Sequence, residues 1–171
     1  MELGCRLVAE RRRRIRWYER PLENFARSKA GGWYFLNVAM PVDRVLLPLT
    51  RGRISSAVGQ QVGLLETFGA KSGEPRPIPL VYLVDDERIV LIASKAGAAK
   101  HPAWLHNLRA NPRVSFLAPQ GRSGEYVARE AEGPERERLW DEAVDYYAGY
   151  ADYQRRAGAR TIPVVVLERA S

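Results

Sequence analysis

Residues 62–93, VGLLETFGAKSGEPRPIPLVYLVDDERIVLIA, carry the pattern that decides the architecture. Val62 to Phe68 reads as a strand, closed by the turn Gly69-Ala70-Lys71-Ser72-Gly73. Arg76 to Val84 follows as a second strand, and Asp85-Asp86-Glu87 turns into a third, Arg88 to Ala93. Working outward, a short helix begins near Pro102, a favoured first helical residue, and Asn111-Pro112 ends it. Strands over 113–118 and 124–132, a helix from Glu135 to Tyr147 and a last strand over Thr161 to Glu168 complete the pattern. Short consecutive hairpins around one core predict an antiparallel, partly closed barrel of about six strands with helices outside, an α+β fold. A doubly wound parallel sheet would need a helix after nearly every strand, and none is supplied.

Upstream of the hairpins the period changes. Residues 5–28 have a helical pattern, broken by Gly31-Gly32. A second helix is expected from Trp33 to Thr50, with Phe35, Val38, Val42, Val45, Leu46 and Leu49 at helical spacing. Pro41 should kink that run or mark its true start. The expected division is therefore a helical segment over 1–58 and a barrel domain over 59–171.

At 171 residues the chain is long enough for one domain with a real core. A single cysteine, Cys5, excludes an internal disulfide and suggests a reducing compartment. No apolar run approaches the roughly 18 residues of a membrane span. Net charge is +7, and residues 1–30 hold nine Lys/Arg against four acids. Arg11 to Arg14 and Arg16 interleave there with Leu7, Val8, Ile15, Trp17 and Tyr18. Such a segment suits an anionic lipid surface, nucleic acid, the acidic tail of a ligand, or simply a solvated docked helix.

Absences narrow the chemistry. His101 and His106 stand five apart without cysteines or carboxylates nearby, poor spacing for zinc, so no metal site is expected. No serine sits in a Gly-x-Ser-x-Gly turn, and neither a Gly-x-Gly-x-x-Gly nor a Walker loop occurs. If the chain is an enzyme, a cofactor brings the reactive group.

Two loops look built for a flat anionic ligand. In Lys71-Ser72-Gly73-Glu74-Pro75-Arg76 a tight turn presents N–H groups between two cations. Ala93-Ser94-Lys95-Ala96-Gly97, continuing to Lys100, follows a strand and opens into a helix N-terminus, which favours phosphate. On that helix Trp104 could stack on a ring system and Asn107 bond its edge. Taken singly, each is as well read as an ordinary turn or a core indole. Tyr147, Tyr150 and Tyr153 recur every three residues, so a helical turn would align their hydroxyls. They form either an aromatic wall for an acceptor or a packing helix.

These residues resemble the family of deazaflavin (F420)-dependent nitroreductases and F420H2-dependent quinone reductases over roughly 60–169. The resemblance lies in Gly69-Ala70-Lys71-Ser72-Gly73-Glu74-Pro75-Arg76 with Pro79-Leu80, and in Ala93-Ser94-Lys95 with Lys100, Pro102, Trp104, Asn107 and Leu108. Ala110-Asn111-Pro112, Tyr150-Ala151-Asp152-Tyr153-Gln154 and Ile162 to Glu168 complete it. It implies a split β-barrel that binds coenzyme F420 in a groove and passes a hydride to a quinone or nitroaromatic acceptor. By carry-over, Lys71, Ser72, Arg76, Ser94 and Lys95 would hold the phosphate and side-chain arm. Pro79, Leu80, Ala93, Trp104 and Asn107 would line the ring system. Tyr147, Tyr150 and Tyr153 would bound the acceptor, with Tyr150 delivering or orienting a proton.

The sequence departs from the family at Ala70, where an arginine is usual, at Ala96, where glycine is common, and at Ala148, where proline is usual. Better-known members associate with membranes through the N-terminal segment, which implies a cytoplasmic protein that can lie on the inner face of the plasma membrane. Related barrels often pair as homodimers. The competing readings are an FMN-binding split-barrel oxidoreductase and a non-catalytic cofactor-binding protein. Nucleic acid is not the expected partner.

Overall fold

In the computed structural model, residue 34 and residues 38–57 and 60–170 are described. The helix expected over 5–28 and its arginine cluster lie outside these residues. The described elements are α1 (Met40–Leu49), β1 (Val62–Phe68), β2 (Pro75–Asp85), β3 (Arg88–Ile92), a 3-10 turn (Lys95–Gly97) and α2 (Ala103–Ala110). There follow β4 (Arg113–Leu117), β5 (Gly124–Glu130), α3 (Gly133–Tyr146), α4 (Gly149–Ala157) and β6 (Val164–Arg169).

The six strands form a closed barrel in the order β1-β2-β3-β6-β5-β4, every pair antiparallel. The expected α+β barrel is therefore present, with one correction: it is closed rather than partly closed. The seam is a short ladder, Leu64–Glu66 of β1 against Ser115–Leu117 of β4. Strands about fifty residues apart leave no local mark of such pairing in sequence.

Alternation sorts the side chains into layers. Leu65, Tyr82, Ile89, Leu91, Val114, Phe116, Tyr126, Val165 and Leu167 fill the interior, with Trp104, Leu105 and Leu108 of α2 packed into the same cluster. The opposite faces of β3 and β6, carrying Val90, Ile92, Val164 and Val166, are covered by Leu139, Ala143, Tyr147 and Tyr150. Those two strands are buried on both sides, which is why they read as continuous apolar runs.

On the outer face of β1, Leu47 of α1 packs on Val62 and Leu64. Pro41 lies in the first turn of α1, directly after a π-helical turn at residues 38–39, so it sits where the helix changes type. The buried Asp43 carboxylate accepts hydrogen bonds from the Ser55 hydroxyl (2.6 Å) and the Ser56 N–H (2.7 Å), tying the following loop to the helix. Among the described residues no helix is long and apolar enough to cross a membrane.

Candidate functional site

The β1–β2 hairpin outruns its neighbour. β3 pairs with β2 only from Tyr82 to Asp85, whereas β1 pairs with β2 from Pro75 to Val81. Residues 75–80 therefore extend about 20 Å past the end of β3 with one edge unpaired by any strand. The N–H of Tyr82 bonds the Gln61 carbonyl (3.0 Å), so even-numbered N–H groups of β2 face β1. Odd-numbered positions face the open edge, and Pro75, Pro77 and Pro79 occupy them. Proline has no N–H, so this edge presents carbonyls and no donors.

Where β3 ends, the chain turns out beside that edge. Ser94 is right-handed helical (φ −73°), and Lys95, Ala96 and Gly97 follow with φ of 48°, 52° and 80°. A right-handed residue followed by a left-handed one makes successive N–H groups converge, an anion-binding concavity, although here the Ser94 N–H is already bonded to the Ile92 carbonyl (2.8 Å). Two consecutive non-glycine residues in the left-handed region are costly, on the order of 1 kcal/mol each or more. Glycine at position 96, which the resemblance led one to expect, would relieve part of that cost. Both expected loops thus lie at one end of the barrel. The β2–β3 turn, with Asp85 and Arg88, is at the other.

The helix α2 joins them. Asn107 donates from Nδ2 to the Thr67 hydroxyl (3.1 Å), and its Oδ1 accepts the Ala70 N–H (3.1 Å). The amide that the resemblance assigned to a ring edge is engaged in holding the hairpin against α2. Trp104 is 5% exposed and belongs to the barrel core beneath Ala93, so its indole backs the groove wall rather than standing free. Pro79 and Ala93 are buried, Leu80 is half-buried, and Lys71, Ser72, Arg76 and Lys95 are exposed. Ser72 Oγ accepts the Glu74 N–H (3.3 Å) inside the turn.

The tyrosines require a correction. Tyr147 is not on a helix with the others: α3 ends at Tyr146, Tyr147 is extended (φ −146°, ψ 100°), and Tyr150 and Tyr153 lie on α4. The three rings nevertheless converge, with centroids 5.4–6.0 Å apart, and the Tyr147 and Tyr153 hydroxyls lie 3.4 Å from each other. Tyr150 is 5% exposed, and burial is the main cause that pushes its phenol well above the ordinary value. Its hydroxyl has no hydrogen-bond partner among the described residues. It is a protonated phenol in a largely apolar, aromatic setting.

Charge separates the two ends. At the far end Arg88 pairs with Asp85 and Glu135, Arg129 with Glu135 and Glu168, and Arg138 with Asp85 and Glu142. Lys71, Arg76, Lys95 and Lys100 take part in no ion pair among the described residues. The cations of the two loops remain available to an anion. A cavity of about 200 Å³ lies elsewhere, lined by Leu105, Arg109, Pro112, Glu130 and Val165 among others, and none of the expected site residues borders it.

One residue of the site has no sequence signal. Arg160, between α4 and β6, donates to the carbonyls of Ala98 (2.9 Å), Ala93 (3.2 Å) and Ser94 (2.8 Å). It follows a helix end and precedes Thr161-Ile162-Pro163, a position indistinguishable in sequence from a solvated linker arginine.

A sequence model of the F420H(2)-dependent quinone reductase family matches residues 47–169. An F420H(2)-dependent quinone reductase of Mycobacterium tuberculosis (strain H37Rv) is 40% identical over 109 residues, 62% of this chain and 72% of the relative. A solved F420-H2 dependent reductase (FDR-A) is 42% identical with a TM-score of 0.56, covering 63% of this chain and 93% of its own. A second solved structure, described as a domain-swapped dimer, is 36% identical with a TM-score of 0.60, covering 75% and 99%. The family match takes in the whole barrel, both cationic loops, the converging tyrosines and Arg160. The chain belongs to the F420H(2)-dependent quinone reductase family.

Proposed function

We propose that this chain is an F420H2-dependent oxidoreductase that reduces quinones, with nitroaromatic compounds as further acceptors. The carrying observation is that the two cationic loops share one end of the barrel, and that Gly97 of the second loop abuts α4, the helix bearing Tyr150 and Tyr153. The residues present fit a ligand with an anionic arm and a planar ring: two loops of unpaired cations and converging N–H groups suit the arm, and the carbonyl-bearing strand edge suits N–H groups of the ring. FMN, which shares this kind of barrel, is the less favoured cofactor, since the family and its relatives are named for F420.

When bound, the reduced deazaflavin supplies the hydride. Lys71, Ser72, Arg76, Ser94 and Lys95 neutralise and hold the phosphate and its arm. Pro79, Leu80 and Ala93 line the ring side, Pro79 and the fully buried Ala93 through their backbone, stiffened from behind by Trp104. Asn107 sets the hairpin at its angle to α2. Tyr147 and Tyr153 confine the acceptor, and Tyr150, protonated at every working pH, donates a hydrogen bond and then a proton to the acceptor oxygen. Hydride plus proton converts a quinone to its quinol. Positioning and anion neutralisation supply the rate, with no side chain acting as nucleophile.

The test is mixing the purified chain with reduced cofactor and menadione while following the deazaflavin absorbance. Loss of the reduced form at a protein-dependent rate supports the reading; no turnover with any quinone or nitroarene would overturn it. Cofactor binding without turnover would favour a binding protein. The basic segment over 1–30 supports a peripheral position on an anionic membrane, tested by sedimentation with anionic vesicles. The domain-swapped relative supports a homodimer, tested by the mass in solution.

A further inference from the structure

We propose that Arg160 is a positioning residue for the cofactor's anionic arm, acting through the backbone of the Ser94–Gly97 loop. The inference rests on the reading of that loop as the anion site. A peptide unit is planar and trans, so a carbonyl and the N–H that follows it point in opposite directions. The guanidinium holds the carbonyls of Ser94 (2.8 Å) and Ala98 (2.9 Å). The N–H groups of Lys95 and Ala99 are thereby turned away from Arg160 and toward the side from which an anion approaches.

The fork makes the arrangement specific to arginine, and two further contacts fix its place. Its fork reaches carbonyls at both ends of the loop, Ala93 (3.2 Å) and Ala98, which an ammonium at one point in space does not. One of its nitrogens also lies 3.3 Å from His101 Nδ1, two residues before α2. The Arg160 backbone is itself anchored: Gln154 of α4 donates to the Arg160 carbonyl (2.8 Å) and accepts the Ile162 N–H (2.9 Å). The loop is left-handed at Lys95 and Ala96, residues that would relax to other conformations without such a constraint. Within it the Gly97 N–H bonds the Ser94 carbonyl (3.0 Å) and the Ala98 N–H bonds the Lys95 carbonyl (3.0 Å), so both amides report its integrity.

The test uses the full chain carrying Arg160→Lys, which keeps charge and stem and removes the fork. Hydrogen exchange of the Gly97 and Ala98 amides is measured without cofactor, and steady-state kinetics with reduced F420 and a quinone. The expected result is faster exchange at those two amides, unchanged exchange in β3 and β6, a roughly ten-fold higher KM for the cofactor and a kcat within about three-fold. Unchanged amides with unchanged KM, a fall in kcat alone, or loss of protection throughout β3 and β6 would each overturn the proposal. If the unaltered chain binds no cofactor, the anion-site reading fails by that result, while the exchange measurement still decides whether Arg160 orders the loop.

Discussion

Gly97 lies so close beneath Tyr153 that a β-carbon on the glycine would stand 2.7 Å from the Tyr153 carbonyl oxygen and 2.8 Å from Cβ of Arg156. Its φ of 80° is also one that side chains resist. Gly97→Ala should therefore push the loop off α4 and cost about 1–3 kcal/mol of stability. Urea denaturation would register the loss, and KM for the reduced cofactor should rise with it. An unchanged midpoint would mean that the seam is not tight.

Tyr150→Phe separates chemistry from packing. The ring stays, and the hydroxyl makes no hydrogen bond to the described residues, so the melting temperature should hardly move. Positioned proton donors contribute on the order of 100-fold or more to rate, so kcat should fall by about that factor with the cofactor KM unchanged. Tyr126→Phe is the contrast: it loses the bond from its hydroxyl to the Arg122 carbonyl (2.9 Å) and should lose stability instead. A full-rate Tyr150→Phe enzyme would assign the proton to water.

Lys95→Ala removes a cation from the anion site without touching a protein partner. Charge-assisted hydrogen bonds contribute about 1.5–3 kcal/mol, so cofactor affinity measured by fluorescence titration should fall about 10- to 100-fold. The remaining binding should depend less steeply on salt. Equal affinity in the two proteins would move the phosphate elsewhere.

Acid stability should be governed by the far end of the barrel. The Arg129 hydrogen bonds to Glu135, followed by the Arg129 charge and the Arg88 bond, outweigh burial and hold that carboxyl down to about 2, from an ordinary 4.5. The depressed folded value means that the contribution is complete above pH about 4.5 and is lost as pH falls toward 2. Melting temperature recorded from pH 6 to 2 should drop across that window. Glu135→Gln should be less stable at pH 6 and show a shallower decline; parallel curves would rule the residue out.

Much of this site is local and was therefore legible in the sequence. The hairpin runs from Val62 to Ile92 have matching turns, and the cations at 71, 76 and 95 are close to those turns. Four features escaped, three of them because they depend on partners far along the chain. The β1–β4 seam, the Asn107 bonds to Thr67 and Ala70, and the Arg160 hold on Ala93 to Ala98 all link residues more than thirty apart. The fourth is the break at Tyr147, where three-residue spacing suggested one helix. The residue is extended, so the rings meet through a bend rather than along a turn. Trp104 shows the same limit, since spacing alone did not distinguish an indole in the core from one facing a ligand.

The run Pro75-x-Pro77-x-Pro79 has a consequence for who can enter. A foreign peptide laid along that border would meet oxygens where it needs hydrogens, and its own carbonyls would go unanswered. Intruding polypeptides are thus refused by chemistry rather than by bulk. A small guest carrying its own N–H or O–H groups is still admitted, so the same missing hydrogens that discourage aggregation also act as a filter for what the protein takes up.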